Sequence, residues 1–151
     1  MEKMRIMLVD DEERYLQTTR KLIEKKGYQV LTALSGEEAL EKLKPQNVHV
    51  VILDVKMPGM DGNQTLKAIK TLYPLVEVIM LTGHGTMDSA IDGLKSGAFD
   101  YLVKPADIDD IIEKAMEAFE KRQHREEKIR VAQAKKYMRS PREILKDNDD
   151  E

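Results

Sequence analysis

Five polar side chains each follow closely after a short apolar run of the sequence. They are Asp10 and Asp11 after the first run, Asp54 after a second, Thr82 after a third and Lys104 after a shorter fourth. If these runs are parallel strands of one sheet, the side chains that follow them gather at one edge of that sheet. Three carboxylates, one hydroxyl and one ammonium would then converge on one crevice.

Such a set of groups favours a divalent cation and phosphoryl transfer. Three neighbouring carboxylates repel one another, and a hard cation with oxygen ligands, such as Mg²⁺, relieves that repulsion. The hydroxyl of Thr82 and the ammonium of Lys104 suit the oxygens of a phosphoryl group, and the carboxylate of Asp54 suits attack on phosphorus. An acyl phosphate formed in this way is reactive, so it would serve as a temporary mark.

Each of these residues also has a simpler interpretation. Asp10 or Asp11 would cap the first helix, and Asp54 would begin a turn. Thr82 and Lys104 would lie in ordinary loops after strands. We favour the shared site because complementary side chains recur at four strand ends on the same edge.

The elements that would position this site alternate along the chain. Five short apolar runs are typical of strands covered on both faces of a parallel sheet; they occupy residues 6–9, 30–34, 48–53, 78–81 and 101–103. A helical pattern follows each run, which gives the order (βα)₅. This order predicts an α/β fold, a flavodoxin-like doubly wound parallel sheet with strand order 2-1-3-4-5.

The predicted helices carry apolar stripes and end signals. Ser35 and Glu38 form a capping-box pattern, Gly27 and Gly97 follow helix ends, and Asp107 is the expected cap of the fifth helix. The stripes at helical spacing are Tyr15, Leu16, Thr19, Leu22 and Ile23 in the first helix, Leu66, Ile69 and Leu72 in the third, Met87, Ala90, Ile91 and Leu94 in the fourth, and Ile108, Ile111, Ile112, Ala115 and Phe119 in the fifth.

Composition limits the class of protein. The 151 residues suit one domain, and 25 basic residues against 28 acidic ones leave a net charge of −3, so nucleic-acid binding is not favoured. The absence of cysteine excludes disulfides, thiolate zinc sites and thiol nucleophiles. No segment has the roughly 20 apolar residues that a membrane span needs. We therefore expect a cytoplasmic domain.

The composition changes near residue 121. Residues 121–146 hold ten Lys and Arg against three Glu, and residues 147–151 are almost entirely acidic. Residues 120–128 contain no apolar position, so we expect a solvated helix that continues the fifth one and a disordered acidic end. A docking or dimerising helix is the alternative. A nucleic-acid-binding arm is disfavoured because aromatic residues are not interleaved with the basic ones.

Four segments of the sequence resemble the receiver domains of two-component response regulators. They are LVDDE at 8–12, LDVKMPGMDG at 53–62, LTGHG at 81–85 and GAFDYLVKP at 97–105. The last two are most similar to the receivers of sigma-54-dependent transcription activators. The resemblance covers about residues 4–121, so we divide the chain into a receiver domain, 1–121, and a charged, helical tail, 122–151.

The resemblance implies a role for each site residue. Asp54 would accept a phosphoryl group from a phosphohistidine of a sensor kinase or phosphotransfer protein. Asp11, Asp54 and the backbone carbonyl of Lys56 would bind Mg²⁺, and Asp10 would act through water. The side chains of Thr82 and Lys104 would contact the phosphoryl oxygens.

The resemblance also implies a switch. Tyr101 would turn inward as Thr82 moves towards the phosphoryl group, and Lys56 and His84 would tune the lifetime of the phosphate. The peptide bond before Pro105 would be cis. The face formed by the fourth helix, fifth strand and fifth helix would bind a downstream protein, or a second copy of the domain to form a homodimer on phosphorylation.

Two other functions stay open at the level of sequence. The chain would be a phosphorylation-independent interaction module of receiver fold, or an aspartate-nucleophile phosphatase. The phosphatases resemble the pattern Asp-x-Asp, and here Lys56 stands in place of the second Asp. No output domain is recognisable after residue 121, which fits a stand-alone receiver, the interpretation we favour, or a piece of a longer regulator.

Overall fold

The computed structural model describes residues 3–138, apart from the side chain of His84. Five strands and five α-helices alternate along this range. The strands are β1 Arg5–Val9, β2 Gln29–Ala33, β3 Val50–Asp54, β4 Glu77–Thr82 and β5 Asp100–Val103. The helices are α1 Glu13–Lys25, α2 Gly36–Leu43, α3 Gly62–Leu72, α4 Met87–Lys95 and α5 Ile108–Tyr137, and a short 3₁₀ turn at His84–Thr86 precedes α4. The acidic end predicted to be disordered lies outside the described residues.

The five strands form one parallel sheet in the order β2-β1-β3-β4-β5. This confirms the predicted flavodoxin-like, doubly wound arrangement. Strands β3 and β4 are buried along their whole lengths because helices cover both faces of the sheet. One core lies between the sheet and α2, α3 and α4, and the other lies between the sheet and α1 and α5.

The predicted caps differ in detail from those in the structure. The hydroxyl of Ser35 accepts a hydrogen bond from the backbone N–H of Glu38 at 3.1 Å, as expected. The Glu38 carboxylate accepts from the N–H of Leu34 instead of closing the box on Ser35. Asp107 occupies the N-cap position of α5 without a side-chain cap hydrogen bond. Gly27 has a φ of 95°, which suits its place just after the end of α1.

Several apolar residues of the predicted stripes are exposed. Leu22 and Leu72 are 43% and 59% exposed, because they lie at the margins of the faces that α1 and α3 bury. In α1 the buried positions are Leu16, Thr19 and Ile23. In α4 the residues Ile91 and Leu94 are also exposed, so this helix presents apolar surface to solvent instead of burying its whole stripe.

Helix α5 continues well past the residues that pack on the sheet. It contains 30 residues, which confirms the predicted helical extension. The expectation of a solvated helix over residues 120–128 does not hold at Arg122, which is only 9% exposed. Its guanidinium donates a hydrogen bond to the carbonyl of Val48 at 2.6 Å, and Arg125 donates to the Glu77 carboxylate at 2.9 Å. The helix therefore remains attached to the body through charged side chains after its apolar face has ended.

Glu77 is the centre of this attachment. It is the first residue of β4 and is fully buried. The ammonium groups of Lys70 and Lys121 lie 3.7 and 3.9 Å from its carboxylate oxygens, in addition to Arg125. A buried carboxylate requires such partners, so the basic residues of α5 fix the helix at the edge of the sheet opposite the predicted site.

None of the helices within residues 3–138 combines the length and apolar content that a membrane span requires.

Candidate functional site

Asp10 and Asp11 lie in the loop between β1 and α1. Asp10 is 1% exposed; its backbone N–H bonds the carbonyl of Ala33, and its carboxylate accepts from the N–H of Glu12 at 2.9 Å. The N-cap residue of α1 is Glu12 and neither Asp10 nor Asp11, so the simpler interpretation of a helix cap is wrong. Asp10 instead holds the backbone N–H of the residue that occupies the N-cap position. Asp11 is exposed to solvent. One carboxylate is therefore held rigidly and its neighbour faces the solvent.

Asp54 is the last residue of β3 and is 8% exposed. Beside it, β4 supplies Leu81 as its partner in the sheet. The loop after Asp54 packs against Gly62, the first residue of α3, where an added Cβ would lie 2.6 Å from the backbone oxygen of Asp54. Only glycine allows this approach, so the start of α3 determines the path of the chain that leaves the site.

The three carboxylates predicted to converge do so. Ligand oxygens of Asp10, Asp11 and Asp54 lie within 4.8 Å of one another. Burial and the neighbouring charge of Asp10 raise the pKa of Asp54 to about 6. A donor set of three carboxylates, one of them destabilised as an anion, fits a hard divalent cation such as Mg²⁺.

Lys104 lies beside these carboxylates, as predicted. Its ammonium is 2.7 Å from an oxygen of Asp10 and 3.7 Å from an oxygen of Asp54. Its backbone N–H bonds the carbonyl of Thr82 at 2.7 Å, and the bond to Pro105 is cis, as the resemblance implied. Burial opposes the charge of Lys104, but the hydrogen bond and charge of Asp10 outweigh it, so the pKa of Lys104 is raised.

Tyr15 lies beside the site, although the sequence pattern predicts only a core-facing position in α1 for it. The Lys104 ammonium lies 4.5 Å from the centroid of the Tyr15 ring. Sequence reasoning assigned Tyr15 to the core-facing stripe of α1, and its ring does pack against that core. A tyrosine three residues into the helix that follows Asp10 and Asp11 was the available signal, but spacing alone does not show which strand end the ring reaches.

Thr82 ends β4 and is fully buried. Its hydroxyl lies against two groups, the carbonyl of Gly83 at 3.0 Å and the hydroxyl of Thr86. Thr86 also accepts a hydrogen bond from the N–H of Gly83 at 3.1 Å. Thr86 is the second residue that sequence reasoning missed, because no motif marks a hydroxyl four positions after the strand end.

A cavity of about 710 Å³ opens above these strand ends. Its lining includes Asp11, Asp54, Lys56, Thr86 and Lys104, together with Glu12, Met57, Pro58, Gly83 and Gly85. Asp10 and Thr82 lie behind this surface and do not line the cavity. The backbone of Lys56 also bonds the Asp54 carboxylate.

The two other predicted residues lie at the margins of the site. His84 begins the short turn between β4 and α4, two residues after Thr82. Tyr101 lies in β5, paired with Met80, and its half-buried side chain packs on the core beneath α2, α3 and α4. Tyr101 is not among the residues that line the cavity.

Comparison with known proteins identifies relatives over most of the described range. Residues 6–116 match the response regulator receiver domain model. The chain is 41% identical over 108 residues to the transcriptional regulatory protein ZraR of Klebsiella oxytoca, which covers 72% of this chain and 24% of that protein. It is 35% identical over 126 residues to the DNA-binding transcriptional regulator NtrC of Escherichia coli K12, covering 82% and 27% of the two proteins.

Solved structures show the same likeness. A response regulator receiver domain protein from Clostridium thermocellum is 39% identical with a TM-score of 0.75, covering 80% of this chain and 97% of that one. NtrX from Brucella abortus, in complex with ADP, is 29% identical with a TM-score of 0.78, covering 83% and 29%. The chain spans about a quarter of the length of the curated relatives it matches.

Proposed function

The chain belongs to the response regulator receiver domain family, and from this premise we propose that it carries a phosphoryl group on Asp54 as a reversible signal. One observation supports this most strongly. The carboxylates of Asp10, Asp11 and Asp54 lie within 4.8 Å of one another, with the ammonium of Lys104 beside them. This is a site for a divalent cation and for the oxygens of a phosphoryl group.

The residues present would hold Mg²⁺ through Asp11, Asp54 and the backbone carbonyl of Lys56, with Asp10 acting through water. When bound, the ion supplies positive charge that offsets the charge of the carboxylates and of the phosphoryl oxygens. Lys104 would donate hydrogen bonds to the same phosphoryl oxygens. Its resting partner, Asp10, keeps the ammonium charged and within reach of Asp54.

The proposed transfer is a displacement at phosphorus. A carboxylate oxygen of Asp54 bonds to the phosphorus of a phosphohistidine, and the bond from phosphorus to the imidazole nitrogen breaks. The imidazole leaves with that electron pair and takes up a proton. To end the signal, the oxygen of a water molecule bonds to the phosphorus and the bond from phosphorus to the Asp54 oxygen breaks. The Asp54 carboxylate leaves with that electron pair, and the water gives up a proton as inorganic phosphate is released. The domain would thus catalyse its own dephosphorylation but no turnover of a separate substrate.

The structure suggests how phosphorylation would change a binding face. The hydroxyl of Thr82 bonds Thr86 and the carbonyl of Gly83, and reaching a phosphoryl group would require it to leave them. Tyr101, half-buried on the adjacent strand, would move into the space that Thr82 vacates. We propose that the exposed apolar surface of α4, including Ile91, forms part of the face that responds.

The partners follow from this role. A sensor histidine kinase or a phosphotransfer protein would supply the phosphoryl group, and a downstream protein or a second copy of the domain would bind the altered face. We propose a cytoplasmic location, where ATP-dependent kinases form the phosphohistidine. Lys56, exposed at the cavity, and His84 would set the access of water and therefore the lifetime of the phosphate.

A labelling experiment tests the acceptor. The protein with Mg²⁺ and a small phosphodonor such as acetyl phosphate should take up one phosphoryl group, measured as a mass increase. Asp54→Asn should take up none, because an amide is not a nucleophile at phosphorus. The matched control is Asp92→Asn, a change of the same type at an exposed position of α4, which should label like the unaltered protein.

Stoichiometric labelling of Asp54→Asn would place the acceptor elsewhere. Steady release of phosphate from many donor molecules, at the rate of an enzyme, would favour the phosphatase alternative. A protein that binds its partner equally well with and without beryllofluoride, a phosphoryl mimic, would favour the phosphorylation-independent module.

A further inference from the structure

The ammonium of Lys104 has two different kinds of neighbour. On one side Asp10 accepts a short hydrogen bond at 2.7 Å, and Asp54 lies 3.7 Å away. On another side lies the face of the Tyr15 ring, 4.5 Å from the ammonium. Tyr15 is half-buried, and its side chain packs against the core beneath α1 and α5. The ring is thus held by the core and meets the cation from a fixed direction.

The two neighbours act on the ammonium differently. An ammonium has three N–H donors, and a carboxylate that accepts one of them occupies that donor. An aromatic face attracts the cation through its quadrupole without accepting a directed hydrogen bond. Tyr15 therefore restricts the position of Lys104 and still leaves N–H donors free to face the cavity.

The placement of Tyr15 follows from the topology. Helix α1 starts directly after the loop that carries Asp10 and Asp11, so its first turn lies at the same edge of the sheet as the carboxylates. The third residue of α1 is Tyr15, whose half-buried side chain packs against the core beneath α1 and α5. Lys104 arrives at the same point from the end of β5. The ring joins the first and last strand ends of the site.

We propose that Tyr15 is a positioning residue that holds the Lys104 ammonium in place for phosphoryl transfer to Asp54. The role is distinct from catalysis because the ring is not among the residues that line the cavity. Its effect on reaction rate rests on the proposed function, whereas its contact with Lys104 is measurable without any phosphodonor.

Two measurements on four proteins test this role. The first is the rate of labelling by acetyl phosphate at saturating Mg²⁺. The second is the NMR shift of the Lys104 ε-methylene protons in lysine-labelled protein, assigned with Lys104→Arg, because protons over an aromatic face move upfield. The proteins are the unaltered chain, Tyr15→Leu, Tyr15→Phe and Tyr28→Leu; Tyr28 packs against the same core without contact to Lys104.

Tyr15→Leu should lose the upfield shift and label about two- to fivefold more slowly, as expected for one cation–π contact near the protein surface. Tyr15→Phe keeps the ring and should restore both readouts. Tyr28→Leu should lose stability in urea and keep both readouts, which separates positioning from general packing. If Tyr15→Leu does not fold, Tyr15→Met replaces it.

Several results would overturn the role. An ordinary Lys104 shift in the unaltered protein would show that the ring does not hold the ammonium. Labelling of folded Tyr15→Leu at the unaltered rate, in a protein that does label, would show that the contact has no bearing on transfer. If the unaltered protein does not label at all, the proposed function fails, and the Lys104 shift alone decides whether Tyr15 positions the ammonium.

Discussion

At the scale of single residues, Asp54 stands in an environment that opposes its own charge. Its ordinary pKa of 3.8 rises to about 6 through burial and the charge of Asp10. Between these values the folded protein binds more protons than the unfolded chain, so the stability contributed by this group falls as pH rises through the window. Above pH 6 the ionised carboxylate remains a cost of folding, and a cation that relieves this cost binds the folded state more tightly.

Asp54→Asn should therefore stabilise the protein in Mg²⁺-free buffer. The amide fits the same space without a charge, so we expect the free energy of unfolding to rise by about 1–3 kcal/mol at pH 8 and by much less at pH 4.5. Urea unfolding with a chelator present measures both values. Added Mg²⁺ should narrow the difference at pH 8, and Asp92→Asn serves again as the control. A variant that is less stable than the unaltered protein at pH 8 would contradict the expected repulsion.

The hydroxyl of Thr86 provides a second prediction at this scale. In the structure it contacts the Thr82 hydroxyl, which in the proposed switch would leave Thr86 to reach a phosphoryl group. Thr86→Val removes that partner and keeps the shape, so beryllofluoride should bind about two- to tenfold more tightly, as expected for one neutral hydrogen bond. Thr86→Ser keeps the hydroxyl and should bind like the unaltered protein. Calorimetric titration measures the affinities, and weaker binding by Thr86→Val would show that its hydroxyl contacts the ligand instead.

The residues of the candidate site could be predicted from sequence where strand ends carry ionisable groups. Asp10, Asp11, Asp54 and Lys104 meet because parallel strands end at one edge, and that follows from the order of elements. Tyr15 could not be placed in this way, because a half-buried aromatic residue fits a core-facing stripe equally well. Its contact with the ammonium depends on the side-chain direction of a residue about 90 positions away in the sequence.

At the scale of elements, the junction between β3 and α3 depends on Gly62. A Cβ there would lie 2.6 Å from the oxygen of Asp54 and 2.7 Å from the Cα of Val55, both backbone atoms. Neither atom can move without shifting the strand end that carries Asp54. The start of α3 and the geometry of the site are therefore coupled.

Gly62→Ala should destabilise the protein and slow labelling of Asp54. Overpacking against backbone suggests a loss of about 1–3 kcal/mol in the free energy of unfolding. Gly85→Ala is the matched control because an added Cβ meets nothing within 4 Å there, and we expect its stability to be unchanged or raised by up to about 1 kcal/mol. Urea unfolding and the rate of mass increase measure the two effects. Equal stability of both variants would show that the loop adapts.

The order and kind of elements could be predicted because apolar runs and helical stripes alternate clearly. The apolar residues that lie at the margin of a stripe could not be predicted in this way. Leu72 fits the spacing of Leu66 and Ile69 and is nevertheless 59% exposed, because the buried positions of α3 end at Ile69. The difference depends on packing between helices, which a one-dimensional pattern does not contain.

At the scale of the whole molecule, the candidate site and the attachment of α5 lie at opposite edges of the sheet. The attachment consists of Arg122 and Arg125 with their partners Val48 and Glu77. The apolar positions alone predict that the packed part of α5 ends near residue 121. Arginine side chains that bond buried carbonyl and carboxylate groups continue the same packed face, and no hydrophobic pattern indicates them.

Two truncations test whether the packed part of α5 ends near residue 121 or continues through Arg122 and Arg125. A chain that ends after residue 128 keeps Arg122 and Arg125, and its free energy of unfolding should match the full chain within about 1 kcal/mol, since residues 127–138 are exposed. A chain that ends after residue 121 loses both and leaves Glu77 buried with fewer partners. We expect it to lose about 2–4 kcal/mol. Urea unfolding compares the three chains, and equal stability of the two truncations would show that the attachment contributes nothing.

The fixed base of α5 also determines the directions in which its later side chains point around the helix axis. A helix turns about 100° and rises about 1.5 Å with each residue. The part of α5 after Arg125 continues from a base that the hydrogen bonds of Arg122 and Arg125 prevent from rotating about the helix axis. One residue inserted after position 128 would swing every later side chain about 100° around that axis, whereas seven inserted residues would return them to within about 20° of their original azimuth. Any contact made by the distal end of α5 should therefore depend on the number of inserted residues periodically, and not on length alone.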